Sequence, residues 1–100
     1  EISASKGNYA RALDIRLNQH GPEHVTVAAS YNSLGNVYRS LGNFQQAKDN
    51  HACALDIRLK QLGAEHVDVK TSYNNLGIVY RSLGDFQQAE NTHARALEIR

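Results

Sequence analysis

With one cysteine in 100 residues, Cys53, the chain has no partner for an intrachain disulfide and no second thiol for a Cys-x-x-Cys redox or zinc site. A reducing, cytoplasmic setting is the expectation. Charge of one sign is equally scarce: 11 basic residues against 10 acidic ones leave a formal net charge of +1. That balance supplies no field to gather nucleic acid or an anionic membrane, so neither is expected as a partner. No apolar run approaches the roughly 18 to 20 residues that a membrane-spanning helix needs, and Glu1 opens into polar sequence without a signal-peptide pattern. Also missing are a His-Glu-x-x-His run, a glycine-rich phosphate loop and a Gly-x-Ser-x-Gly elbow, so the sequence motivates no catalytic site and no cofactor.

What the chain does have is itself, repeated. Tyr31-Asn32, Leu34-Gly35 and Val37-Tyr38-Arg39-Ser40-Leu41-Gly42 return as Tyr73-Asn74, Leu76-Gly77 and Val79-Tyr80-Arg81-Ser82-Leu83-Gly84, a period of 42 residues. The same interval links Ala12-Leu13-Asp14-Ile15-Arg16 to Ala54-Leu55-Asp56-Ile57-Arg58 and on to Ala96-Leu97-Glu98-Ile99-Arg100. A compact core would be modest at this length, whereas a repeat array adds its core unit by unit. The period divides the chain into a partial unit (1–21), a full unit (22–63) and a unit truncated near the end of its second helix (64–100).

Each full unit holds two helical patterns. Val27, Tyr31, Leu34, Tyr38 and Leu41 follow the alternating 4, 3 spacing of one helical face and define helix A. Gly42 stands where a left-handed cap ends a helix, and Asn43 at the N-cap of the next; Gly84 and Asp85 repeat the arrangement. A turn this short sets the two helices antiparallel. Helix B then runs from about Phe44 to Leu62, with Phe44, Ala47, His51, Ala54, Leu55 and Ile57 available for packing and Gly63 at its end. Gly35 and Gly77 sit inside helix A, where glycine costs roughly 1 kcal/mol relative to alanine, so their recurrence predicts that helix B leaves no room for a methyl group. Near the start, two readings stand: one helix from Ile2 to His20, or a turn at Gly7-Asn8-Tyr9 that shortens it. Either gives five helices in the order B, A, B, A, B.

In that order Tyr31, Leu34, Gly35, Tyr38, Gly42, Phe44, Ala47 and Ala54 resemble the signature of the tetratricopeptide repeat, and Tyr73 through Ala96 carries it again. The 42-residue unit, with its Ala-Leu-Asp-Ile-Arg and Leu-Gly-Ala-Glu-His-Val segments, looks most like the kinesin light chain and nephrocystin-3 branch. It departs from that branch in having Val25 and Val67 where proline is common, and His51 and His93 where tyrosine is common. The resemblance implies an all-α, right-handed superhelical solenoid of antiparallel helix pairs. Its A helices would line a concave groove that receives an extended peptide or a partner helix, as in an adaptor or scaffold.

The two units differ at Ala29/Thr71, Ser33/Asn75 and Asn36/Ile78, positions that share one helix face roughly opposite the Tyr31, Leu34, Tyr38 stripe. Asn32 and Arg39, and Asn74 and Arg81, border that variable stripe. Asparagine amides both donate to and accept from a peptide backbone, and arginine offers a planar fork to a carboxylate, so acidic or extended peptides suit the face. The family resemblance implies ligand contact at Asn32, Asn36, Arg39, Asn74, Asn75 and Arg81. Arg58 and Arg100 are read instead as serving the negative ends of their own helices.

The five histidines do not predict a metal site. His20 and His24 have an i, i+4 interval, but Gly21-Pro22 breaks the helix that would align their rings. His24 and His66 fit helix N-terminal roles, while His51 and His93 are read as polar tips over an apolar groove. Cys53 falls on an exposed, variable position where the next unit has Arg95. A second functional reading is structural: unpaired terminal B helices leave apolar faces open, so copies could associate end to end.

Overall fold

The structure is a computed structural model that describes residues 2–99, and the side chains of residues 4–99. Five helices follow one another: α1 (Ile2–His20), α2 (Val25–Ser40), α3 (Phe44–Leu62), α4 (Val67–Ser82) and α5 (Phe86–Leu97). Each packs chiefly on its neighbours in sequence, giving an all-α repeat solenoid in which α2–α3 and α4–α5 are the antiparallel pairs. Gly7 lies within α1, which runs without a turn and settles the two readings of the N-terminal segment.

Local chemistry explains the boundaries. Gly42 adopts φ 81° and Gly84 φ 81°, the left-handed conformation that glycine enters without penalty. Its N–H bonds the carbonyl of Arg39 while that of Asn43 reaches back to Tyr38, and Gly84 with Asp85 does the same toward Arg81 and Tyr80. Asp85 accepts from the N–H of Gln88, whereas Asn43 holds the N-cap position without a side-chain cap bond. At the starts of α2 and α4, histidine does what serine or aspartate usually does: the Nδ1 of His24 accepts from the Thr26 N–H at 3.1 Å and that of His66 from the Asp68 N–H at 3.0 Å.

Helix A is buried over a wider arc than one stripe. Val27 and Leu34 are inside as expected, but so are Ala28, Ser30, Gly35 and Val37, while Tyr31 and Tyr38 are half-buried and Leu41 is exposed. The cause is the solenoid itself. A helix between two neighbours packs on both flanks, so only the arc turned away from them stays open. The core between α2 and α3 gathers Val27, Ala28, Ala54 and Ile57, with Leu13, Leu17 and Tyr31 packed against it.

Two expectations are corrected here. His51 is not a polar tip over a groove: it is fully buried, and neither ring nitrogen has a hydrogen-bond partner. Its ring lies where a Gly35 Cβ would meet Cδ2 and Nε2 at 2.6 Å, and His93 stands over Gly77 at the same 2.6 Å. Each glycine therefore lies against a ring that an added methyl group would have to displace, and that ring is an imidazole. Nor does Arg58 serve the end of its own helix. Its Nη1 donates to the Ser72 hydroxyl at 2.9 Å and toward the Asp68 carbonyl at 3.4 Å, both on α4. Arg16 makes the matching bonds from α1 to α2, to Ser30 at 2.7 Å and the Thr26 carbonyl at 3.2 Å. These straps explain why Ser30 and Ser72 are polar yet buried: each hydroxyl accepts from a guanidinium. Arg100 lies outside the described residues.

Candidate functional site: the face of the A helices

On α2, the positions Ala29, Asn32, Ser33, Asn36 and Arg39 are all half-buried; on α4, Asn74 and Asn75 are half-buried while Thr71, Ile78 and Arg81 are exposed. The contrast follows from neighbours, since α2 lies between α1 and the α4 unit, whereas α4 has its following flank uncovered among the described residues.

These residues fall into three zones. In the middle, Asn75 Nδ2 donates to Asn32 Oδ1 at 2.8 Å, a side-chain bond that ties the two A helices directly together. Toward the first unit, Ser33 and Asn36 line a cleft of about 270 Å³ with Val37 and Ser40 of α2 and with Ser5 and Tyr9 of α1. Toward the last unit, Arg81 lies beside Phe86, Ala89, Glu90, His93 and Leu97 of α5. Arg39 holds the equivalent place in the preceding unit and acts on the buried His51 ring.

Tyr9 is absent from the ligand-contact residues expected from sequence, yet it borders the first cleft and is 41% exposed. The signal was available: Tyr9, His51 and His93 are spaced at the 42-residue period, whereas comparing Gly7-Asn8-Tyr9 with Gly42-Asn43-Phe44 draws the eye to the wrong register. The strap partners were visible in the same way, since Arg16 with Ser30 and Arg58 with Ser72 keep a constant interval of 14 residues.

For metal or nucleophilic chemistry the geometry is poor. The rings of His20 and His24 do come together, stacked at 4.2 Å despite the Gly-Pro turn, but among the described residues no group of three or more potential ligands surrounds a point. The thiol of exposed Cys53 is pushed up from its ordinary value by local desolvation and then by the carboxylates of Asp49 and Asp56, which disfavours the reactive thiolate. Among the described residues no helix is long and apolar enough to cross a membrane.

Helix pairs at a 42-residue period, with a glycine in each A helix under a B-helix ring, define a helical-repeat solenoid. The chain belongs to the tetratricopeptide repeat family, whose profile matches residues 4–60 and 26–100. Among solved structures, it is similar to BtubC (BKLC) from P. vanneervenii, with a TM-score of 0.93 and 31% identity over 99% of this chain. The chain spans 39% of that protein's length. No curated protein sequence matches it. Tetratricopeptide repeats generally mediate protein–protein interaction or scaffolding.

Proposed function

We propose that this chain is a protein-interaction module that binds an extended, acidic peptide segment, or a partner helix, across the A-helix face of α2 and α4. The supporting observation is the Asn32–Asn75 bond, which fixes the two A helices edge to edge and so presets the spacing of the groups beside it. Along that face lie the amides of Asn36 and Asn74 and the guanidiniums of Arg39 and Arg81, and none of the ten face positions carries a carboxylate. An acidic ligand meets complementary charge there, and a backbone meets amides that both donate and accept. Ile78 in place of Asn36 makes the two halves of the face unlike, which gives a ligand a direction. In this reading residues 22–63 form the full repeat, with partial repeats on either side, and the work is that of an adaptor or scaffold in the cytoplasm.

A peptide-library selection tests it, using wild type beside a triple Asn36→Ala, Asn74→Ala, Arg81→Ala variant that leaves the Asn32–Asn75 bond in place. Both proteins must give helical circular dichroism. Enrichment of acidic sequences by wild type and not by the variant is the expected result; equal enrichment by both removes the face from consideration.

One observation favours end-to-end association as a second reading. On the outer side of α5, Phe86 is 66% and Leu97 83% exposed, although their counterparts Phe44 and Leu55 are half-buried under the next unit. A tail-to-head contact would set α5 against α1, however, B helix on B helix, while the internal joint sets α3 against α4, B on A. Mass that stays monomeric by light scattering up to high concentration rejects this reading.

A further inference from the structure

Among the described residues, His51 is the one large polar side chain that the fold encloses without a partner. It is 0% exposed and both nitrogens are unbonded, so even the neutral ring leaves a donor unsatisfied. The repeat supplies its own comparison. His93 occupies the same position 42 residues on and stands over Gly77 as His51 stands over Gly35, at the same 2.6 Å to a constructed Cβ. Yet His93 is only half-buried. What differs is the following unit: α4 packs on α3, and among the described residues nothing packs on the outer side of α5. The complete burial of His51 is therefore the work of the joint between the α2–α3 pair and α4.

The surroundings of the ring are set against a positive charge. The charges that act on it are Arg39 of α2 and Arg58 of its own helix α3; from α4, the Asp68 carboxylate acts on Arg58. Arg58 cannot swing aside at no cost, because it straps α3 to Ser72 and the Asp68 carbonyl.

We propose that His51 is an acid-sensitive latch: its neutral imidazole permits the α3–α4 joint to close, and its protonation opens that joint. A charged imidazolium would be fully enclosed, without an acceptor, and opposed by the charges of Arg39 and Arg58; exposing it requires α4 to withdraw from α3. Withdrawal also breaks the Asn32–Asn75 bond, which spans the same two units, so the A-helix face comes apart with the joint. Loss of ligand at low pH rests on the binding function proposed above; opening of the joint does not.

The direction follows from linkage. Burial first, then Arg39 and Arg58, lower the ring from its ordinary 6.5 to about 4. Between these values the unfolded or opened form takes up the proton and the closed form does not, so stability is full above about pH 6.5 and falls as pH drops toward 4. From pH 7.5 to 5.0 this site alone lowers the closed-to-open ratio by roughly thirtyfold.

Urea unfolding of the 100-residue chain at pH 7.5 and 5.0 tests this, with wild type beside His51→Leu. Wild type is expected to lose roughly thirtyfold more of its folded-to-unfolded ratio than the variant over that interval. An equal loss in both proteins overturns the proposal. If the leucine variant does not fold, the ring Cε1–Hε1 resonance of His51 in wild type decides instead. A ring that stays neutral in the folded protein down to pH 5.0 upholds the latch, and a ring that becomes charged near the ordinary histidine value with the helices intact refutes it. Peptide binding need not be measured for either result.

Discussion

Replacing Gly35 and Gly77 by alanine, one at a time, puts the same methyl group against the same kind of ring in two mechanical settings. A Cβ at Gly35 would sit 2.6 Å from Cδ2 and Nε2 of His51 and 2.8 Å from Cε1; at Gly77 it would sit 2.6 Å from Cε1 and Nε2 of His93 and 2.9 Å from Cδ2. Ordinary carbon contacts lie at about 3.5 to 4.0 Å, so either ring must retreat by roughly 1 Å. His51 is enclosed by α2, α3 and α4 and has nowhere to go; half-buried His93 can tip outward. Both substitutions gain about 1 kcal/mol of helix propensity. Overpacking costs about 1–3 kcal/mol where the core cannot yield. Gly35→Ala is thus expected to lose up to about 2 kcal/mol net and Gly77→Ala to be neutral or slightly more stable. The assay is paired urea and thermal unfolding at pH 7.5, where a gap of 2 kcal/mol corresponds to roughly 10 °C in Tm for a domain of this size. Equal effects of the two alanines, or a stabilised Gly35→Ala, refute the argument that enclosure by the next unit immobilises the ring.

The strap and the caps give two further expectations. In a double-mutant cycle, Arg58→Ala and Ser72→Ala should show a coupling of about 1 kcal/mol, with a similar value for Arg16 and Ser30; coupling near zero would mean that the guanidinium only covers apolar surface. Asp85→Ala should cost about 1 kcal/mol in urea unfolding because its carboxylate caps α5, while Asn43→Ala should cost measurably less, having no such bond to lose; the reverse order would discredit the cap assignment.

Much of the fold could be read before any coordinates. Identical segments 42 residues apart define the unit, and Gly42 with Asn43 marks the turn between its helices, because these features are local and each is written twice. The close neighbour at Gly35 and Gly77 was also legible, since a recurring helix-interior glycine has to be explained by one. What eluded the sequence lies between units. Histidine reads as a polar residue, and nothing within α3 says that a later helix will seal His51 from water. Arg58 sits at a helix end where a dipole role is reasonable, and only the placement of α4 brings Ser72 within 2.9 Å. The A-helix face was identifiable as a face. Its division into a tie at Asn32–Asn75, a cleft at Ser33 and Asn36, and an open flank at Arg81 depends on which side of each helix the next unit covers.

The arginine straps bear on how such an array lengthens. Each runs from the B helix of one unit to the A helix of the next, across a four-residue connection, so the full unit 22–63 carries Arg58 for its successor and Ser30 for its predecessor. A tandem copy of 42 residues inserted in frame therefore arrives with both halves of a new joint already in register, and growth by duplication needs no second mutation to make the added unit fit. A gain or loss of even one residue in the connecting loop would instead displace donor from acceptor, which makes the length of that loop, more than its composition, the quantity that heredity has to protect.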